Sequence, residues 1–388
     1  MKNRPRVIFI LVVSSIVFMG MNSTGFAIGP RVIKIGYTAP LTGPVAEYGT
    51  NGWRGILLAL ENINKCGIMV GGKRYEIKVI PYDSVCISQL GVTNVLKMVK
   101  EDKVVAILGG HCNEVCNAVG TLCDKFRIPG ITIECGADDV TKPGHEFYFR
   151  MRPPVGLMIP LIIPKIYKVF SPHTAGYLVV NDSHGRKYAT SFEDKLDWIG
   201  VKTVFNESFE RGTTDFNALL TKIKKSRADM LLYVGSMADG ARILKQAKEL
   251  GVTRRTAFIG SEEMGEIQFI LRVGPEAAEG TYAVSLWGSV PPEFKKRVKE
   301  KFGKLVHYGI IFGYDALHVV AKAIESAQSL DPVKIKDALK KTNYKALEGR
   351  IRFKDFNGYK NQCEYTPSVI RWENGKRIHL DIILKWTD

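Results

Sequence analysis

The stretch IKIGYTAPLTGPVAEYGTNGWRGILLALENINKCGIMVGGKRYEIKVIPYDS, Ile33 to Ser84, sets the architecture. With Arg31 and Val32 ahead of it, its start reads as a strand, RVIKIGYTAPL, running into the loop TGPVAEYG. Trp53, Ile56, Leu57 and Leu60 then recur at the i, i+3, i+4, i+7 spacing of one helix face. RYEIKVIPYD reads as a second strand. Strand, helix and strand in that order predict a parallel pair joined by a crossover.

The alternation continues outward. A helix is expected from Gln89 to Lys100, a short buried strand at VVAILGG, a helix from Glu114 to Phe126 and a strand at PGITIEC. After FYFRMRPP it restarts with helix 155–169 and strand AGYLVVND, then helix 186–198 and strand VKTVFNESF. Helix 215–225, strand DMLLYVG, helix 239–250 and strand TAFIGS follow. Such a pattern predicts an α/β fold of doubly wound parallel sheets covered on both faces.

At 388 residues the chain exceeds one ordinary core, and two lobes are expected. RMRPP, Arg150 to Pro154, reads as one crossing between them, and TYAVSLWG, Thr281 to Gly288, as another. Helices 291–302 and 310–328 are expected to return to the first lobe. The tail SVIRWENGKRIHLDII reads as a hairpin turning at Asn374-Gly375. The expected boundaries are 28–151 with 284–363 for the first lobe, and 152–283 with 364–388 for the second. A cleft between the carboxyl ends of the two sets of strands is where a ligand would sit.

The amino terminus points to export. MKNRPR carries Lys2, Arg4 and Arg6, and the apolar run Val7 to Met21 follows. Gly25 and Ala27 then supply a small-x-small exit, so residues 1–27 are expected to be a signal peptide cleaved after Ala27. The run is shorter than a membrane span requires. No cysteine follows it that would anchor a lipid. Removing it takes three basic groups from the net charge of +16 and leaves +13. Lys and Arg are spread along the chain rather than gathered on one element, which reads as a solvated basic surface and not a nucleic-acid footprint.

Export also frames the seven cysteines, because disulfides are the default in an oxidising compartment and an odd number leaves one unpaired. GGHCNEVCNAVGTLC, Gly109 to Cys123, gathers His111, Cys112, Cys116 and Cys123. Its spacing does not match the paired motifs of zinc sites, and no metal is expected. Cys116 and Cys123 lie seven residues apart on one helix, about 10 Å along its axis, too far for a disulfide. Both are expected to pack as small apolar groups. The sequence leaves the states of Cys66, Cys116, Cys123, Cys135 and Cys363 open. Catalytic signatures are missing as well: there is no G-x-S-x-G, Walker A or H-E-x-x-H, and Ser183 beside His184 makes no nucleophile–base pair by itself. No enzymatic activity or cofactor is expected.

The opening stretch, together with DFNALLTKIKKSRADMLLYVGSMADGARILKQAKELG and GPEAAEGTYAV, resembles the type 1 periplasmic solute-binding proteins of ABC importers, in their leucine/isoleucine/valine-binding branch. The likeness runs from about Val32 to Leu384. It implies a two-lobed periplasmic receptor that closes by hinge bending on a small, zwitterionic amino acid and delivers it to an inner-membrane ABC permease. It also implies a disulfide between Cys86 and Cys112, worth about 3.5 kcal/mol on the chain-entropy model.

Site residues follow from the same likeness. Asn113 stands where the family has a serine for the ligand carboxylate, and it is expected to cap the helix whose N–H groups favour an anion. Cys135, Gly136 and Ala137 match the loop that holds the amino acid, without its usual hydroxyl. Asp138 and Asp139 follow and could add negative charge. Glu262 matches the carboxylate that pairs with the ligand ammonium. His184 and Ser236 fall on aromatic positions, and Tyr48 matches an aromatic of the cleft. His111 receives no role. These departures leave another small solute open, such as an amide, an aromatic or a short organic acid, and leave a sensing role beside transport.

Overall fold

The computed structural model describes residues 31–364 and 367–380. The expected signal peptide and the last eight residues of the tail lie outside them. The chain begins β1 (Arg31–Ala39), α1 (Ala46–Cys66), β2 (Ile68–Val70), β3 (Lys73–Asp83), α2 (Ser88–Lys97), β4 (Ala106–Gly109), α3 (Asn113–Phe126), β5 (Gly130–Thr132) and β6 (Tyr148–Arg150). A second series runs α4 (Val155–Phe170), β7 (Thr174–Val180), α5 (Ser183–Trp198), β8 (Lys202–Phe209), α6 (Asn217–Ser226), β9 (Met230–Val234) and α7 (Met237–Glu249). It ends with β10 (Ala257–Gly260), α8 (Ile267–Val273), α9 (Pro275–Ala278) and β11 (Tyr282–Ser285). Then come α10 (Pro292–Phe302), α11 (Tyr308–Ala327), α12 (Pro332–Lys340), β12 (Tyr344–Lys345), β13 (Arg350–Ile351), β14 (Phe353–Phe356) and β15 (Tyr359–Cys363). The hairpin β16 (Ser368–Glu373) and β17 (Lys376–Leu380) closes the described chain.

These strands form two large sheets. One has the order β14-β15-β6-β5-β4-β1-β3-β2, and the other β17-β16-β11-β10-β9-β7-β8. The interior of each is parallel, with antiparallel strands only toward the edges. Buried parallel strands explain the near-continuous apolar runs, such as MLLYV of β9, which is buried throughout. The tail hairpin turns where expected: Asn374 and Gly375 both have positive φ, 50° and 72°, as a primed two-residue turn requires.

Helices α1 and α11 cover the first sheet and meet backbone to backbone. A Cβ on Gly55 would lie 2.1 Å from the Ile310 carbonyl oxygen, and one on Gly313 2.2 Å from that of Gly52. Only glycine allows that approach. The structure departs from the sequence reading in several places. PGITIEC is strand only over Gly130–Thr132. Helix α12 and strands β12 to β15 were not anticipated. Strand β1 pairs with both β3 and β4 and lies between them.

Candidate functional site

In each sheet the strand order reverses beside its first strand, β1 or β7, and loops leaving the carboxyl ends there diverge to opposite faces. A cavity of about 330 Å³ lies between those ends, lined from both sheets. The first sheet supplies His111, Cys112 and Asn113 after β4, Glu134 and Gly136 after β5, and Arg152 after β6. The second supplies Asp182 and His184 after β7, Arg211 after β8, Ser236 after β9, and Glu262 and Glu263 after β10. Tyr48 in the first turn of α1 and Tyr308 at the start of α11 complete the wall.

The lining is densely charged, and most of its charges are already matched. Arg152 Nη2 donates to Glu262 Oε1 at 2.5 Å, with both side chains almost wholly buried. Arg152 Nη1 donates to the Glu134 carbonyl oxygen at 3.1 Å, and the Tyr188 hydroxyl donates to Glu262 Oε2 at 2.7 Å. Burial would raise the Glu262 carboxyl, but Arg152 and then His184 outweigh it and hold it below the usual value. Burial likewise opposes the charge on Arg152, and Glu262 overcomes it, so that the guanidinium stays charged. Arg211 pairs with Asp182 at 2.5 Å.

Two further carboxylates behave differently. Glu263 accepts the Tyr308 hydroxyl at 2.7 Å, and burial pushes it up to about 7. Glu134 Oε2 lies 3.2 Å from His111 Nδ1, close enough for attraction but off the line of a hydrogen bond. On its other side His111 Nε2 meets the Tyr37 hydroxyl at 3.1 Å, and that hydroxyl donates to the Gly49 carbonyl. The hydroxyl proton is thus spent on Gly49, and His111 Nε2 must be the donor. Glu134 Oε1 has no partner among the described residues.

The structure redistributes the residues that the sequence singled out. Tyr48, Asn113, Gly136, His184, Ser236 and Glu262 line the cavity, while Cys135 and Ala137 do not. Cys135 is bonded to Cys116, with Cα atoms 6.6 Å apart, which corrects the reading of Cys116 as simple packing. Cys123 is a buried free thiol. Asn113 does not cap α3: Cys112 holds the cap position, and Asn113 Oδ1 instead accepts from Ala137 N at 3.1 Å. Asp138 is taken up by Gly156 N and Lys187, and Asp139 by Asn117. Ser236 caps α7 through Asp239 N, and the His184 ring packs edge-on against Tyr188, with ring centroids 4.9 Å apart.

The largest departure is at Glu262, whose two oxygens already have partners within the protein. Gly136 makes room for one of them, since a Cβ there would lie 2.9 Å from Arg152 Cζ. Cys86 and Cys112 are bonded, with Cα atoms 5.6 Å apart, although β1 separates the strands they follow. Arg152, Glu134, His111, Glu263 and Tyr308 were not singled out. RMRPP signalled a crossing, and nothing local to it points to a carboxylate 110 positions away.

The family profile described as periplasmic binding protein matches residues 32–376. The chain belongs to that family. Its relatives include the leucine-, isoleucine-, valine-, threonine- and alanine-binding protein of Pseudomonas aeruginosa, 28% identical over 367 residues, or 92% of this chain and 94% of the relative. Among solved structures, the branched-chain amino acid transporter substrate-binding protein LivJ of Streptococcus pneumoniae, in complex with isoleucine, superposes with a TM-score of 0.78. That match has 22% identity and covers 90% of this chain and 99% of the other. An ABC transporter solute-binding protein of Rhodopseudomonas palustris, in complex with 3,4-dihydroxy benzoic acid, gives 0.78 at 20% identity, covering 90% and 96%. As a periplasmic binding protein, this chain binds a solute and is not an enzyme. Among the described residues no helix is long and apolar enough to cross a membrane.

Proposed function

We propose that this periplasmic binding protein is the extracytoplasmic receptor of an ABC importer, taking a small carboxylate-bearing solute of amino-acid size. Of the described residues, 31–151 with 284–363 form one lobe and 152–283 with 364 and 367–380 the other. They close on the solute by bending at the crossings and present it to an inner-membrane permease. Residues 1–27 direct export and are removed after Ala27. The observation that carries this reading is the cavity itself, which draws its lining from strand ends of both sheets and is sized for a solute of this kind. The start of α3, where no side chain caps the first turn, offers N–H groups to the carboxylate, with Asn113 beside them. Tyr48, His184 and Ser236 form the remaining walls. Isoleucine and a hydroxylated benzoate are held by two proteins of this fold, so the fold accommodates both aliphatic and aromatic acids.

A thermal-shift screen of amino acids, amides, short organic acids and aromatic acids tests the proposal. A solute held at a hundred times its Kd stabilises the folded form by about 2.7 kcal/mol and raises the melting temperature. A panel in which no carboxylate shifts it, while an equimolar divalent metal does, would overturn the reading.

A further inference from the structure

We infer that Arg152 sets the chemical class of the solute: its guanidinium fills the place a solute amino group would take, so the cleft accepts small carboxylic acids that lack one. The inference rests on the receptor reading above. Three acceptors converge on the place: the Glu262 carboxylate at 2.5 Å, the Glu134 carbonyl oxygen at 3.1 Å and the Tyr188 phenol oxygen at 3.5 Å. An ammonium, with three N–H donors and no acceptor, is suited to such a set. Arg152 reaches it from the crossing after β6, through the gap left at Gly136. The two charged side chains are 5% and 3% exposed, so the pair is almost wholly buried by the protein's own atoms.

An amino group entering there would have to separate a buried ion pair and leave a guanidinium stranded, which is strongly unfavourable. The other acids of the wall offer little compensation. Asp182 is held by Arg211 and by Gly185 N, Glu263 is engaged by Tyr308, and Glu134 Oε2 lies 3.2 Å from His111 Nδ1. Glu134 Oε1 is buried and has no partner among the described residues; a solute hydroxyl reaching it would donate without needing a compensating charge.

Calorimetric titration with matched pairs tests this: leucine against its keto acid, and phenylalanine against phenylpyruvate. The wild-type protein is expected to bind each keto acid at least about tenfold more tightly than its amino acid. Arg152→Ala empties the place beside Glu262, so leucine should gain about tenfold and the keto acid should not. The double variant Arg152→Ala/Glu262→Gln, which strands no buried charge, should fold and show no gain for leucine. Wild-type protein that binds leucine as tightly as the keto acid overturns the inference, as does loss of leucine binding in Glu134→Gln. Loss of keto-acid binding in Arg152→Ala and in the double variant also overturns it, because Arg152 would then hold the solute carboxylate itself. If neither pair binds, another organic acid without an amino group that does bind supports the inference, whereas another amino acid overturns it and leaves the receptor reading standing. If nothing in the panel binds, both fall.

Discussion

Glu262 and Glu263 are consecutive and both buried, yet they behave in opposite ways. Glu262 faces a guanidinium and stays ionised; Glu263 has a phenol for its nearest partner, and burial lifts it from 4.5 to about 7. The sign of the pH effect follows. Between those pH values the folded chain keeps a proton on Glu263 that the unfolded chain releases. The contribution of this group to stability is therefore complete below pH 4.5 and falls as the pH rises through 7, by at most about 3 kcal/mol. Glu263→Gln removes the titration and retains an acceptor for Tyr308. The variant should match wild type in chemical denaturation at pH 5 and exceed it at pH 8. Equal pH slopes in the two proteins would show that Glu263 ionises normally. Residue-level chemistry of this kind was only partly legible beforehand. Glu262 stands out through its likeness to a family position, but its partner Arg152 is set by tertiary folding and leaves no local pattern.

At the level of elements, the strand-and-helix rhythm was readable because buried parallel strands are apolar throughout and helices repeat on one face. What escaped was short or paired at long range. Strands β14 and β15 join the first sheet from far along the chain, and β15 pairs with β6 by a single register, Gln362 with Arg150. The cysteines show the same limit. Cys116 could be excluded from pairing along its own helix, but its partner Cys135 lies in the loop after β5 and required the fold to be seen. One bridge fastens the loop after β3 to the loop after β4 at the cavity wall, and the other ties α3 to the loop after β5. A thiol count on unfolded, unreduced protein should give three, for Cys66, Cys123 and Cys363. Five would mean that only one bridge forms. Cys116→Ser/Cys135→Ser should lower stability by about 3 kcal/mol on the chain-entropy model, measurable as an earlier urea midpoint.

At the scale of the molecule, the two sheets are linked across the cleft by ion pairs beyond its lining. Glu47 of α1 meets Arg272 of α8 at 3.6 Å, and Asp138, after β5, meets Lys187 of α5 at 2.7 Å. The first pair is about half exposed on both sides and is worth little to overall stability. In the proposed hinge motion it would exist only while the rims are together, and so would bias closure. Arg272→Glu replaces that attraction with repulsion and should weaken solute affinity about threefold, with an unchanged melting temperature in the absence of solute. Small-angle scattering of the solute-free variant should show a larger radius of gyration; an unchanged radius and unchanged affinity would mean the pair does not act on closure.

Trp287 stands where the chain leaves β11 on its way to α10, almost fully buried. Its indole N–H donates to Glu266 at 2.8 Å, and the Arg377 guanidinium stacks 4.0 Å from its ring. In the hinge motion proposed above, bending at this crossing would change the charge around the indole without exchanging the residue for a dye. On that reading the chain carries a native optical probe at its fulcrum, and the rate of lobe movement is open to stopped-flow emission on unlabelled protein.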